Sequence, residues 1–184
     1  ITRSIRSIFI LSILLLMWQD STAQYTTIGP VTFTSNTYGP MVCRTDSVNA
    51  FSRHAYIYPS ATLGDLAHGD SIRMIEFFKT NDFVYAGTPN FKMYVGMSDS
   101  ADFGAGNIQS WSTETSRKGV QKVFDGSIQS IVDATAGYKA FAFDTMFVFD
   151  TTQGSHLKIL VEFYQNTVQT VGLIPLWAYE NNFS

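Results

Sequence analysis

His156-Leu157-Lys158-Ile159-Leu160-Val161-Glu162-Phe163-Tyr164 is the stretch on which the fold turns. Successive side chains of a β-strand point to opposite faces. A period of two therefore puts Leu157, Ile159, Val161 and Phe163 on one face and Lys158 and Glu162 on the other. Leu160 is the exception on the polar face. A helix would scatter those four apolar residues around its axis, so the segment predicts a strand with a buried side.

The same period recurs outward from it. Phe91, Met93, Val95 and Met97 alternate with Lys92, Tyr94 and Gly96, and Phe141 and Phe143 alternate with Ala140 and Ala142. Residues 72–79 are β-prone but out of phase, with Ile75 and Phe77 on one face and Ile72 on the other, which predicts a bulge near Met74. A strand at 120–124 is expected to end in a turn at Asp125-Gly126. Further strands are expected at 32–34, 42–45, 55–58, 128–132 and 171–177, with Pro175 demanding an edge or a bulge in the last. The Gly-rich segments 64–69 and 99–107 read as loops. No long segment sustains a helical period. About ten short strands with turn signals every 8–15 residues or so predict an all-β, antiparallel β-sandwich of jelly-roll type, because a parallel sheet needs helical crossovers.

The composition fits. The chain has 184 residues, 45% of them hydrophobic and 15% aromatic, and 15% charged against roughly 25% in soluble domains, which excludes a disordered chain. A net charge of −3 and the lack of Lys/Arg clusters beyond the first six residues exclude a nucleic-acid partner. One Cys makes no internal disulfide, and three His without ligand spacing make no zinc framework.

Arg3 and Arg6 precede an apolar run, 8–18, broken only by Ser12, and Ser21-Thr22-Ala23 supplies the small residues of a cleavage site. Residues 1–23 thus read as a cleavable signal peptide, too short for the roughly 20 residues of a membrane span. Residues 24–184 read as a single sandwich domain with no membrane span, secreted or held at the cell surface. The chain opens on Ile1 and closes just after an apolar stretch, which predicts a longer reading frame and a sandwich cut short at its C-terminal end.

Several motifs fall in a recognisable order. Tyr58-Pro59, Leu63-Gly64, Gly69-Asp70-Ser71-Ile72 and Ile75-Glu76-Phe77 are followed by Asn90-Phe91-Lys92-Met93-Tyr94-Val95-Gly96, then by Val123-Phe124-Asp125-Gly126-Ser127. Gly137-Tyr138, Phe141, Phe143-Asp144-Thr145 and Phe147-Val148-Phe149 complete the order before residues 157–161. Over most of residues 51–162 this resembles the adhesin-like jelly-roll β-sandwich modules of secreted, multidomain Bacteroidetes-type proteins exported by type IX secretion. Tyr138 stands where Trp is usual there, and Met146 where Pro is usual. The resemblance implies a non-catalytic module beside neighbouring domains of the same polypeptide, and it carries over no catalytic residues.

The residues themselves offer three kinds of chemistry. Trp111, between two serines, Tyr56 and Tyr58, alternating with Ala55 and Ile57, and Trp177 are the candidates for a face that binds a glycan or an extracellular protein. Core packing or packing against a neighbouring domain is the competing role of each. Asp99, Asp102 and Asn107 gather oxygen ligands on a Gly-rich loop, as a structural Ca²⁺ requires, although turn chemistry calls for the same residues; no other cofactor is expected. Catalytic signals are sparse. Cys43 lacks a local protease signature and reads as a buried thiol unless His54, His68 or His156 approaches it. Glu76 and Glu162 are the carboxylates for a glycosidase reading. The expectation is a recognition module, with a secreted hydrolase domain or a structural spacer as the alternatives.

Overall fold

A computed structural model of the chain describes residues 34–36, 39–42, 50–103, 110–169 and 174–179. The expected signal peptide, Cys43 and Asn107 lie outside them, as do residues 32–33, 43–45 and 171–173 of the expected strands.

The opening stretch forms β7 (His156–Gln165), which lies inside a four-stranded sheet ordered β2 (Ala50–Tyr58), β7, β4 (Asn90–Ser98), β5 (Gln121–Ser127). A second sheet runs β1 (Thr34–Asn36), β8 (Trp177–Tyr179), β3 (Ser71–Lys79), β6 (Gly137–Val148). Every pairing is antiparallel. First pairs with eighth, second with seventh, third with sixth and fourth with fifth, the pattern of one long ribbon doubled on itself. Wrapping that ribbon sends alternate pairs to alternate sheets, and the β3·β8 and β4·β7 contacts then complete each sheet. The result is a jelly roll.

The core lies between the sheets, as the alternation predicts. Phe91, Met93 and Val95 of β4 and Leu157, Ile159, Val161 and Phe163 of β7 meet Phe141, Phe147 and Trp177 of the facing sheet. Phe141 is the hub, with its ring 5.1 Å from Phe91, 5.5 Å from Phe124 and 5.8 Å from Phe77. Each such ring contributes about 1.5–3 kcal/mol by burial. The bulge expected in β3 is there, as a register shift between Ile72 and Met74.

Two expectations fail for one reason. Asp125-Gly126 does not turn; β5 runs on through it, with Gly126 opposite Phe91 and Asp125 opposite Lys92. The chain leaves β5 for the other sheet, so no hairpin is needed there. Asp125 instead gives its N–H to the Asp144 carboxylate of β6. The reversal comes at 128–132, read from sequence as a strand. There the Ile131 and Val132 N–H groups both donate to the Ile128 carbonyl, and Ile128 and Val132 plug the core from a turn. The loop is pinned by two lysines on inner faces, Lys79 donating to the Phe83 and Asp133 carbonyls and Lys139 to the Asp133 carboxylate. The only α-helix among the described residues, α1 (Trp111–Thr115), is a single turn that no periodicity could announce.

Candidate functional site

The outer face of the β2-β7-β4-β5 sheet carries residues of alternating register in rows that cross the strands. One row is Phe51, Tyr164, Asn90 and Ser127; the next is Arg53, Glu162, Lys92 and Asp125. The second row alternates in charge across four strands. Cross-strand neighbours lie about 5 Å apart, so opposite charges there support one another. Arg53 Nε donates to Glu162 Oε2 at 2.9 Å, its Nη2 lies 2.9 Å from the same oxygen, and Lys92 Nζ stands 3.5 Å from Oε1.

The other half of this face is covered. Ala55, Leu160 and Tyr94 form the third row and Ile57, Lys158 and Gly96 the fourth. Over them lies α1, which Glu114 fixes by accepting from Lys158 Nζ at 2.9 Å and from Arg117 at 2.8 Å. Glu114 and Lys158 are both buried. Gly96 leaves the room that this cover needs, since a Cβ there would meet Val120 Cγ2 at 2.7 Å. The cover explains Leu160, the apolar exception on the polar face: it is fully buried.

Trp111 stands where the covered half meets the open half. Its ring meets Tyr94 edge-on, with centroids 6.4 Å apart, and the Arg53 guanidinium lies 5.1 Å from the Trp111 ring and 4.5 Å from the Phe51 ring. Each cation–π contact is worth about 0.5–1 kcal/mol at such exposure, enough to hold a long side chain in one orientation. Phe51 is 49% and Tyr164 41% exposed. The open half is therefore a flat platform of aromatic rings and fixed charges, with Trp111 as its wall.

The other three aromatic candidates are elsewhere. Tyr56 and Tyr58 lie on the inner face of β2, stacked 6.5 Å apart in a column that begins at His54 and packs against the core. Burial pushes the Tyr56 hydroxyl well above the ordinary tyrosine range. Trp177 is fully buried, with no described partner for its Nε1. Only Trp111 of the four reaches the platform. The alternation in β2 was visible, but period two alone does not say which phase faces out. Phe51 and Arg53 were missed for that reason.

Asp99 and Asp102 are exposed in a serine-rich turn after β4, where Ser98 Oγ donates to the Ser100 carbonyl and accepts from the Ser100 N–H. Among the described residues no three His, Cys, Asp or Glu side chains converge as a metal site. Glu76 and Glu162 do not form a glycosidase pair. Glu76 faces outward from one sheet, opposite Ala140, and Glu162 outward from the other, so the sandwich lies between them. Sheets pack about 10 Å apart before side chains are added, beyond the roughly 5–9.5 Å that such pairs require.

The remaining histidines are spent on structure. His156 Nδ1 accepts from the Ser60 N–H at 3.0 Å. His68 lines a 460 Å³ cleft with Gln121, Met146, Asp150 and Gln153. Its Nδ1 accepts from the Thr151 N–H at 3.3 Å and lies 3.5 Å from the Asp150 carboxylate. Hydrogen bonds from Thr152 and Gln153 hold Asp150 down to about 2, so it is ionised and weakly basic at neutral pH. Thr151 Oγ1 contacts the same Nδ1, not the opposite ring nitrogen, which is not the relay of a nucleophile–histidine–acid triad. No helix among the described residues is long and apolar enough to cross a membrane. No family model matches the chain, and no curated protein or solved structure matches it.

Proposed function

We propose that the chain is a non-catalytic recognition module of a secreted, larger surface protein, adhesin-like as its motif order suggests, and that the open half of the β2-β7-β4-β5 face binds its glycan or extracellular protein ligand. The observation that carries this reading is the Arg53 guanidinium fixed between the Phe51 and Trp111 rings and bridged to Glu162, on a face whose aromatics stay half exposed. Such pre-positioning lowers the entropy lost on binding, and Trp, Tyr and Arg are the residues on which contact surfaces concentrate their energy. Neighbouring domains belong to the proposal as partners of the same polypeptide.

The test is binding of the purified protein to a glycan array and an extracellular-matrix panel, with Ca²⁺ and with chelator. Trp111→Ala should weaken saturable binding at least tenfold while leaving the far-UV spectrum unchanged. Tyr138→Ser, on the outer face of the other sheet and 55% exposed, should leave binding intact. A folded protein that binds nothing on either panel is a spacer.

A further inference from the structure

At its Arg53–Lys92 end the platform has more cations than carboxylates. Arg53 and Lys92 both turn to Glu162, two cations to one carboxylate. Asp125, opposite Lys92 in register, is drawn off by Lys122 Nζ at 2.7 Å, and Asp144, which accepts from the Asp125 N–H, stands at that same far end of the row. Of the guanidinium's five N–H donors, Nε–H is bonded to Glu162 Oε2, with Nη2 close to the same oxygen. Lys92, at 3.5 Å from Glu162, is a loose neighbour rather than a closed bond. The surplus is local, since the chain as a whole carries −3.

The backbone narrows the occupant further. β7 and β4, which carry Glu162, Tyr164 and Lys92, are inner strands with ladders paired on both sides, so an extended peptide can add only along the β2 or β5 edge and not across these residues. A ligand laid across the platform has only side chains to hold: flat rings and fixed donors. The apolar CH face of a pyranose covers a flat ring, and a carboxylate at its rim meets the fork of a guanidinium and the point charge of an ammonium.

We infer that the ligand is a carboxylated polysaccharide, a run of hexuronate sugars, with a carboxylate taken between Arg53 and Lys92 and sugar rings laid on Phe51, Tyr164 or Trp111. This rests on the recognition reading above and assigns its ligand class.

The experiment compares polymers that differ only in charge. Binding of the purified protein is measured by affinity electrophoresis and calorimetry against polygalacturonate and its fully methyl-esterified form, alginate and hyaluronan and their carboxyl-reduced forms, and neutral cellulose, xylan and mannan. At least one acidic polymer should bind ten times or more tightly than its neutralised form. Lys92→Gln, which leaves the Arg53–Glu162 pair in place, should reduce that preference threefold or more, and Trp111→Ala should weaken acidic and neutralised forms alike. Equal binding of an acid and its neutralised form, or binding confined to neutral polymers, overturns the inference and leaves the recognition reading standing. Absence of binding to every polymer overturns the inference, and protein ligands on the matrix panel then decide the recognition reading separately.

Discussion

His54 sits on the inner face of β2 with its ring stacked on Tyr56, 6.5 Å between centroids, and its Nε2 buried without a hydrogen-bond partner among the described residues. An uncharged ring tolerates that place and an imidazolium does not, so burial lowers the His54 pKa from its ordinary 6.5. The folded state then binds this proton less readily than the unfolded chain. Stability from the neutral ring is complete above about pH 6.5, the unfolded value, and is lost as pH falls through the lower folded one. Arg53 and Glu162 face the opposite side of the sheet and do not enter the balance. Urea unfolding should thus give a stability that declines between pH 7.5 and 5, and His54→Phe, which keeps the stack without the nitrogen, should flatten that decline. An equal decline in the variant would assign it to another group.

At the scale of the element, α1 is a single turn that holds its place through Glu114. One turn of helix is unstable by itself, so its position depends on the contact beneath it. Lys158 and Glu114 have side chains only 4% and 5% exposed, and removing one partner of such a pair leaves a buried charge at a cost of about 3 kcal/mol. Glu114→Gln should therefore lower stability by about that much, and the double variant Glu114→Gln, Lys158→Met should recover most of it. If the double variant is no better than the single, packing rather than charge holds α1 down. The same contact shows what a sequence can and cannot carry. Alternation made β7, β4 and the β3 bulge legible because these depend on residues near in the chain. It placed Lys158 and Leu160 correctly on one face, yet their burial comes from a turn of helix more than forty residues earlier. Asp125-Gly126 misled for a related reason: whether such a pair turns depends on which sheet the next strand joins. Trp111 stood out as an aromatic in a polar stretch, but Arg53, its partner across the platform, has no local mark.

For the whole molecule, the pairing order decides how the parts fall apart. Thr34 lies opposite Tyr179, and β2 opposite β7, so both sheets need contacts between distant parts of the chain before either is complete. Non-local pairing of this kind folds in milliseconds to seconds. One core cluster is shared by both sheets, and nothing in it divides into separately stable halves. Unfolding should accordingly be a single transition. The chain has three tryptophans, and in a Trp18→Phe background the other two report from opposite places, Trp177 inside the core and Trp111 on the outer platform. Fluorescence of Trp111→Phe and Trp177→Phe variants should give midpoints in guanidinium that agree once each is corrected for its own change in stability by circular dichroism. An acidic polysaccharide at a hundred times its Kd for each variant should raise the Trp111 and Trp177 midpoints together, each by the guanidinium concentration that its m-value equates with about 2.7 kcal/mol, because a ligand of the folded state stabilises every part that unfolds with the site. If the Trp111 signal is lost at lower guanidinium while the sheet spectrum persists, α1 detaches from a standing sandwich. The platform wall would then be a separately folding part, and ligand would move the Trp111 midpoint alone.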